Sequence, residues 1–233
     1  MSLLTLIQGA CDRIGIVRPT SVIGSTDQQV LRLLGYAQQE GKDLAQKYDW
    51  QVLRAEQTFI SVAQASQTGA VPSNFDHFVN ETFFNRSKKR PVFGPMSPQE
   101  WQFAQSVVST VIVESFIVRS DAILLTPTPP AGDSYAYEYI KNTWCQSSGG
   151  TAQTAWAADT DTGILSEELM TLGVVWRFKA GRGYSYDEEF RSYEIMCAER
   201  FARDGGRRTL NAGYRPDARR PRAPFIQDGS WSL

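Results

Sequence analysis

His77 is the single histidine of the chain. Any Ser–His or Cys–His nucleophile pair would have to use it, and a His-rich metal site cannot form. It stands between Asp76 and Phe78 in an aromatic, strand-like stretch with no accompanying motif, which reads as a structural histidine. Cys11, Cys145 and Cys197 are far apart, odd in number and form no C-x-x-C. They read as reduced, mostly buried thiols rather than zinc ligands or a redox pair. Asp159-Thr160-Asp161-Thr162-Gly163 has the texture of a calcium loop, but Gly falls fifth instead of sixth and Met170 stands where the bidentate Glu belongs. Asp161-Thr162-Gly163 also matches an aspartic-protease turn, but only once and without an apolar strand before it, so the segment reads as an Asp/Gly turn ahead of a helix. Gly181-Arg182-Gly183 lacks the third glycine of a dinucleotide fingerprint and follows a helix. No P-loop, nucleophile elbow or H-E-x-x-H is present. The expectation is a protein with no catalytic, cofactor-binding or metal-ligating residues, and not an enzyme.

Two features remain that could bind something. Tyr135, Tyr137 and Tyr139 recur at period two and could offer a stacking face to a sugar or a base, or pack inside a sheet. Residues 204–222 carry Arg207, Arg208, Arg215, Arg219, Arg220 and Arg222 against Asp204 and Asp217, a surplus of four positive charges. Phe225, Ile226 and Trp231 follow. Such a segment can hold nucleic-acid phosphate, or lie along a protein partner with Arg pairing to carboxylates and the aromatics as anchors.

The elements that must carry these residues follow from periodicity. Leu3, Leu6, Ile7, Ala10, Cys11 and Ile14 mark a short helix. Ser25 with Gln28 and Thr26 with Gln29 offer overlapping capping boxes for a second. That helix keeps Val30, Leu33, Leu34, Ala37, Gly41, Leu44, Ala45 and Tyr48 on one face, and Gln38, Gln39, Glu40, Lys42 and Asp43 on the other. A strand is expected from Trp50 to Val62, a polar hairpin loop over 64–69, and a strand-like stretch over 77–85. Residues 87–91 read as a basic turn. Ser97-Pro98-Gln99-Glu100 is a helix start with its cap, first-position proline and capping-box Glu. Further strands are expected over 110–118, 123–125 and 135–140, with a turn over 119–122 and a polar loop over 146–163. Ser166 caps a third amphipathic helix with Leu169, Leu172, Gly173, Trp176 and Ala180 on its stripe. A fourth starts near Asp187 with Phe190, Tyr193, Cys197, Ala198 and Phe201 on one face. Residues 207–233 lack apolar periodicity and contain Pro216, Pro221 and Pro224. The fold class is α+β: a four-helix bundle built by both ends of the chain (1–49 and 158–206), an inserted antiparallel β-rich domain (50–157) and an extended C-terminal arm (207–233).

Composition bounds the function. The 233 residues are 42% hydrophobic and 12% aromatic, enough to bury a core and too apolar for a disordered chain. Twenty-four Lys and Arg against 25 Asp and Glu give a net charge of −1, so the chain as a whole is no basic nucleic-acid binder. With four positive charges in the arm, the other residues sum to −5. The start has no basic n-region, which argues against a secretory signal, and no apolar run reaches the ~18 residues of a membrane span.

The ordered series resembles the head–tail adaptor, or connector, proteins of short-tailed bacteriophages. The matching pieces are the long helix running into Tyr48-Asp49-Trp50, then Leu53-Arg54, Val71-Pro72-Ser73-Asn74-Phe75, and Pro91-Val92 before Ser97-Pro98-Gln99-Glu100-Trp101. Leu124-Leu125-Thr126-Pro127-Thr128-Pro129, the tyrosine strand and the two closing helices complete it, over residues 26–204. The polar loop 146–163 is longer than the family's approach to the third helix. The resemblance implies a structural virion protein made in the bacterial cytoplasm. It implies a dodecameric ring docked beneath the portal, with a tail or nozzle protein below and DNA passing the lumen unbound. It also implies that the arm, with Arg207, Arg208, Arg215, Arg219, Arg220, Arg222, Phe225, Ile226 and Trp231, extends onto the portal. An acidic body repeated around such a ring would not hold phosphates. The other readings are a nucleic-acid-binding protein using the Arg-rich arm, and a glycan-binding β domain of a tail component built on the tyrosine row, His77 and Asp76. No membrane association is expected.

Overall fold

Leu3, Leu6, Ile7, Ala10 and Cys11 are buried along one face of helix α1 (Leu3–Ile14). Ser2 caps its start by accepting from the Thr5 N–H at 3.3 Å. Gly15 ends it in the left-handed region at φ +79, its N–H returning to the Cys11 carbonyl. The computed structural model describes residues 2–106, 113–119 and 122–205. Helix α2 (Gln28–Lys47) is capped by Asp27, whose Oδ1 accepts from the Gln29 N–H at 2.8 Å. Neither expected capping box forms. The carboxylate one residue before the helix supplies the acceptor instead.

Trp50 does not begin a strand. Its indole turns back to donate to the Leu44 carbonyl at 2.8 Å, and a 3-10 turn (Gln51–Leu53) intervenes before β1 (Arg54–Ile60). The chain then forms β2 (Ser66–Gln67), β3 (Phe75–Phe78), β4 (Phe84–Asn85), β5 (Arg90–Pro91), α3 (Pro98–Ser106), β6 (Ser115–Arg119), β7 (Ala122–Thr126) and β8 (Ser134–Lys141). β2 falls inside the expected polar loop because Gln67 is buried, its amide satisfied by backbone groups of Val62 and Gln64. The 77–85 stretch is two short strands, not one. It breaks at Glu81, held at φ +63. The Ser97/Glu100 capping box forms in both directions, at 2.8 and 3.2 Å. Of the expected 110–118 strand, Ser115–Val118 lies in β6, and Thr110–Ile112 fall outside the described residues.

β8 organises the main sheet. β1 runs antiparallel along one of its edges, from Arg54↔Ile140 to Ile60↔Ser134. β3 and β4 share the other edge, and β5 pairs with β4. A second sheet has the order β2-β7-β6. The expected polar loop 146–163 is partly ordered into a small sheet of β9 (Cys145–Gln146), β10 (Ala152–Gln153) and β11 (Thr162–Gly163).

Helix α4 (Glu167–Arg182) is buried from Leu169 through Val175 and again at Phe178. No narrow stripe exists, because α1, α2 and a last helix, α5 (Asp187–Asp204), all pack on it. Ser166 makes no side-chain cap bond. On α5, Tyr193 and Cys197 are buried while Ala198 is exposed; Met196 takes its place against the core. The protein is a mixed α+β structure with five helices and antiparallel sheets among the described residues. One apolar cluster joins α1, α2, α4 and α5 with Trp144 and Trp156. A second joins the β strands around Tyr135, Tyr137 and Phe83. Each fully buried large side chain contributes ~1.5–3 kcal/mol relative to exposure. No described helix is long and apolar enough to cross a membrane.

Candidate functional site

Arg207, Arg208, Arg215, Arg219, Arg220, Arg222, Phe225, Ile226 and Trp231 all lie outside the described residues. The place from which they depart is well defined. At the end of α5, Phe201 stacks on Tyr48 at 4.7 Å and meets Trp50 edge-on at 5.2 Å. Three residues on, Asp204 accepts from the Gln51 N–H at 2.8 Å. The Tyr48-Asp49-Trp50 segment is therefore the joint between α2, α5 and the start of β1, and the described residues end beside it at Gly205.

Asp49 faces the other way. Its Oδ1 lies 3.1 Å from His77 Nε2, while Asp76 Oδ2 lies 2.6 Å from Nδ1. A carboxylate can only accept, so the imidazolium, with both ring N–H groups donating, is the form that satisfies both contacts. Partial burial pulls the ring down, but the bond to Asp76 and the charge of Asp49 outweigh it and hold it above its ordinary value. His77 is structural in the sense that it ties β3 to the end of α2. Its second partner, 28 residues upstream, had no signal in the sequence.

The tyrosine row presents no stacking face. Tyr135, Tyr137 and Tyr139 are 0%, 1% and 5% exposed. Their hydroxyls donate to Glu114 Oε2, the Ala70 carbonyl and Asn74 Oδ1 at 3.0, 2.8 and 3.0 Å. A glycan-binding surface built on them is thus corrected: the face of β8 that carries the rings is covered by Phe59, Phe78 and Phe83, so they pack inside. Glu114 also accepts from Lys88 and Asn85 at 2.8 and 3.0 Å, and Lys88 reaches Asp133 at 3.0 Å. This network ties the β4–β5 turn to the starts of β6 and β8.

Asp159 and Asp161 spend their oxygens on backbone N–H groups. Asp161 accepts from Ala157 and Ala158 at 2.7 and 2.8 Å. Asp159 accepts from Val22 and Ile23, pinning the α1–α2 connection from 137 residues away. Partial burial pulls the Asp159 carboxyl up, but those backbone donors outweigh it and hold it below its usual range. The three cysteines are buried free thiols, and burial pushes Cys145 up to about 12. Among the described residues no cluster of three or more potential metal ligands forms.

Glu40 is the residue the sequence reading misplaced most. It is expected on the polar face of α2, yet it is 0% exposed at the α2–α4 crossing. Gly173 makes the room: a Cβ there would overlap the Glu40 carboxyl. Gly41 and Gly181 admit Trp144 and the Tyr36 hydroxyl in the same way. Arg177 donates to Glu40 Oε2 and, at 2.6 Å, to Asp43. Glu40 Oε1 has no hydrogen-bond partner among the described residues. Burial pushes the carboxyl up to about 7, and Arg177 and Tyr193 only partly offset this.

No protein-family model matches the chain, and no curated protein matches it in sequence. Among the described residues, the aromatic joint at Tyr48, Trp50 and Phe201, the carboxylate ties of Asp159, Asp161 and Glu114 and the glycines at the helix crossings hold elements together.

Proposed function

We propose that the chain is a head–tail adaptor of a short-tailed bacteriophage, a structural protein of the virion. Its copies form a ring that joins the portal to the tail and lets DNA pass through the lumen. The observation that supports this most is the meeting of the chain's two ends. α1 and α2 pack with α4 and α5 in one apolar cluster, the strand-rich segment 54–141 is inserted between them, and α5, the last described element before the Arg-rich segment, ends at their junction. In this reading the four helices form the bundle that packs side by side around the ring. The insert faces the tail, and the arm reaches the portal through Arg207, Arg208, Arg215, Arg219, Arg220, Arg222, Phe225, Ile226 and Trp231. An oligomer is the form in which an acidic body near −5 per copy would line a lumen that does not retain DNA.

Mass measurement and particle imaging of the full chain, with and without a portal ring from a short-tailed phage, test this. A portal-bound ring is expected. A permanent monomer that ignores portal would sink the proposal. Salt-sensitive DNA binding by the full chain would favour the nucleic-acid-binding reading instead.

A further inference from the structure

β1 has an unpartnered edge among the described residues. Which of its backbone groups face outward follows from the ladder. Ser61 N–H bonds the Asp133 carbonyl at 2.8 Å, so in register Phe59, Gln57 and Ala55 are the residues bonded to β8. The opposite parity holds on β8, where Ser134 and Glu138 bond Arg86 and Val79 on the far side. Glu56, Thr58 and Ile60 therefore turn their N–H and C=O groups away from the sheet. The devices that normally blunt such an edge are missing: β1 contains no proline and its register shows no bulge. Its two charges are already neutralised, Glu56 by Arg86 and Arg54 by Glu138. Ile60 is 64% exposed and Val62, just beyond, 47%.

We infer that the root of the C-terminal segment of the same chain, residues 206–215, adds to this edge as a strand parallel to β1. The place of departure argues for it. Asp204 is bonded to Gln51, three residues before β1 begins, so the last described residues lie close to the start of that strand. Its length fits: β1 needs about 23 Å of partner, and ten proline-free residues extend to about 33 Å before Pro216. Within it Leu210, Ala212 and Tyr214 alternate with Thr209, Asn211 and Gly213, a six-residue pattern that the reading of 207–233 as a whole passed over. A tethered strand also meets the edge at a high effective concentration, which a second copy does not. This docking narrows the portal-facing part of the arm: Arg207, Arg208 and Arg215 would lie in the added strand, and Arg219, Arg220, Arg222, Phe225, Ile226 and Trp231 stay available to a partner.

Residue-resolved hydrogen exchange on the full chain tests it. The amides of Glu56, Thr58 and Ile60 are expected to be protected at every protein concentration. They are expected to exchange about tenfold faster or more in a full-length Leu210→Pro/Ala212→Pro variant. The Ala55, Gln57 and Phe59 amides, bonded to β8, are the internal reference and should not change. Unprotected outward amides in the wild-type chain overturn the inference, as does protection that survives in the variant. Protection that grows with protein concentration also overturns it, by assigning the edge to a second copy.

Discussion

Replacing Glu40 by Gln isolates the electrostatics of the α2–α4 crossing. In the folded protein the Glu40 carboxyl is pushed from 4.5 up to about 7, chiefly by burial. Between those two pH values the folded chain binds more protons than the unfolded one. Stability therefore falls as pH rises through the window and levels off above it. The difference corresponds to about 3 kcal/mol. Gln has the shape of the protonated carboxyl and cannot ionise. The Glu40→Gln variant should therefore match the wild type near pH 4.5 and exceed it by about 3 kcal/mol at pH 8, with other titrating groups cancelling in the difference. Urea unfolding of both proteins across that range is the assay. If the wild type is instead the more stable of the two at pH 8, pairing with Arg177 outweighs desolvation and the reasoning is refuted.

Gly173→Ala should destabilise by about 1–3 kcal/mol in the same assay, because its Cβ would overlap the Glu40 carboxyl, although alanine is the better helix former. Gly35→Ala, on α2 with nothing near its Cβ, should instead stabilise by about 0.5–1 kcal/mol. The lone imidazole resonance should titrate above the ordinary histidine range, and Asp49→Asn and Asp76→Asn should each lower it; an unshifted wild-type titration would contradict the three-residue array. The sign follows: the array stabilises the fold at low pH, and that contribution is lost as pH rises through the folded-state value. Asp159→Ala should cost about 1–3 kcal/mol by leaving the Val22 and Ile23 N–H groups without their acceptor, seen as faster exchange of those two amides.

Short-range patterns were legible where a period or a cap is unambiguous, though not the cap of α2, which Asp27 supplies, nor that of α4, where Ser166 makes no side-chain bond. The face of α1, the body of α2, the Ser97 capping box and the start of α5 near Asp187 are short-range patterns, and the packing honours them. The tyrosine alternation marked β8, but not that the tyrosine face is covered, since that depends on aromatic residues far away in the chain. The arm's residues and their charge were legible as composition. The root from which they leave was not, because the Asp204–Gln51 bond joins positions 153 apart.

From the amino-acid sequence alone came the α+β class, the helical periods, the buried character of the cysteines and the split between an acidic body and a basic tail. These rest on interactions within a few residues or on sums over the chain. Tertiary structure alone decided that Glu40 is buried, that His77 holds two carboxylates, that Asp159 ties down Val22 and Ile23, and that β1 is an edge. Each of those is a meeting of distant segments. A periodic pattern specifies which face of an element is apolar, but not which glycine across the crossing leaves space for a charge, nor which carboxylate comes within hydrogen-bonding distance of a ring.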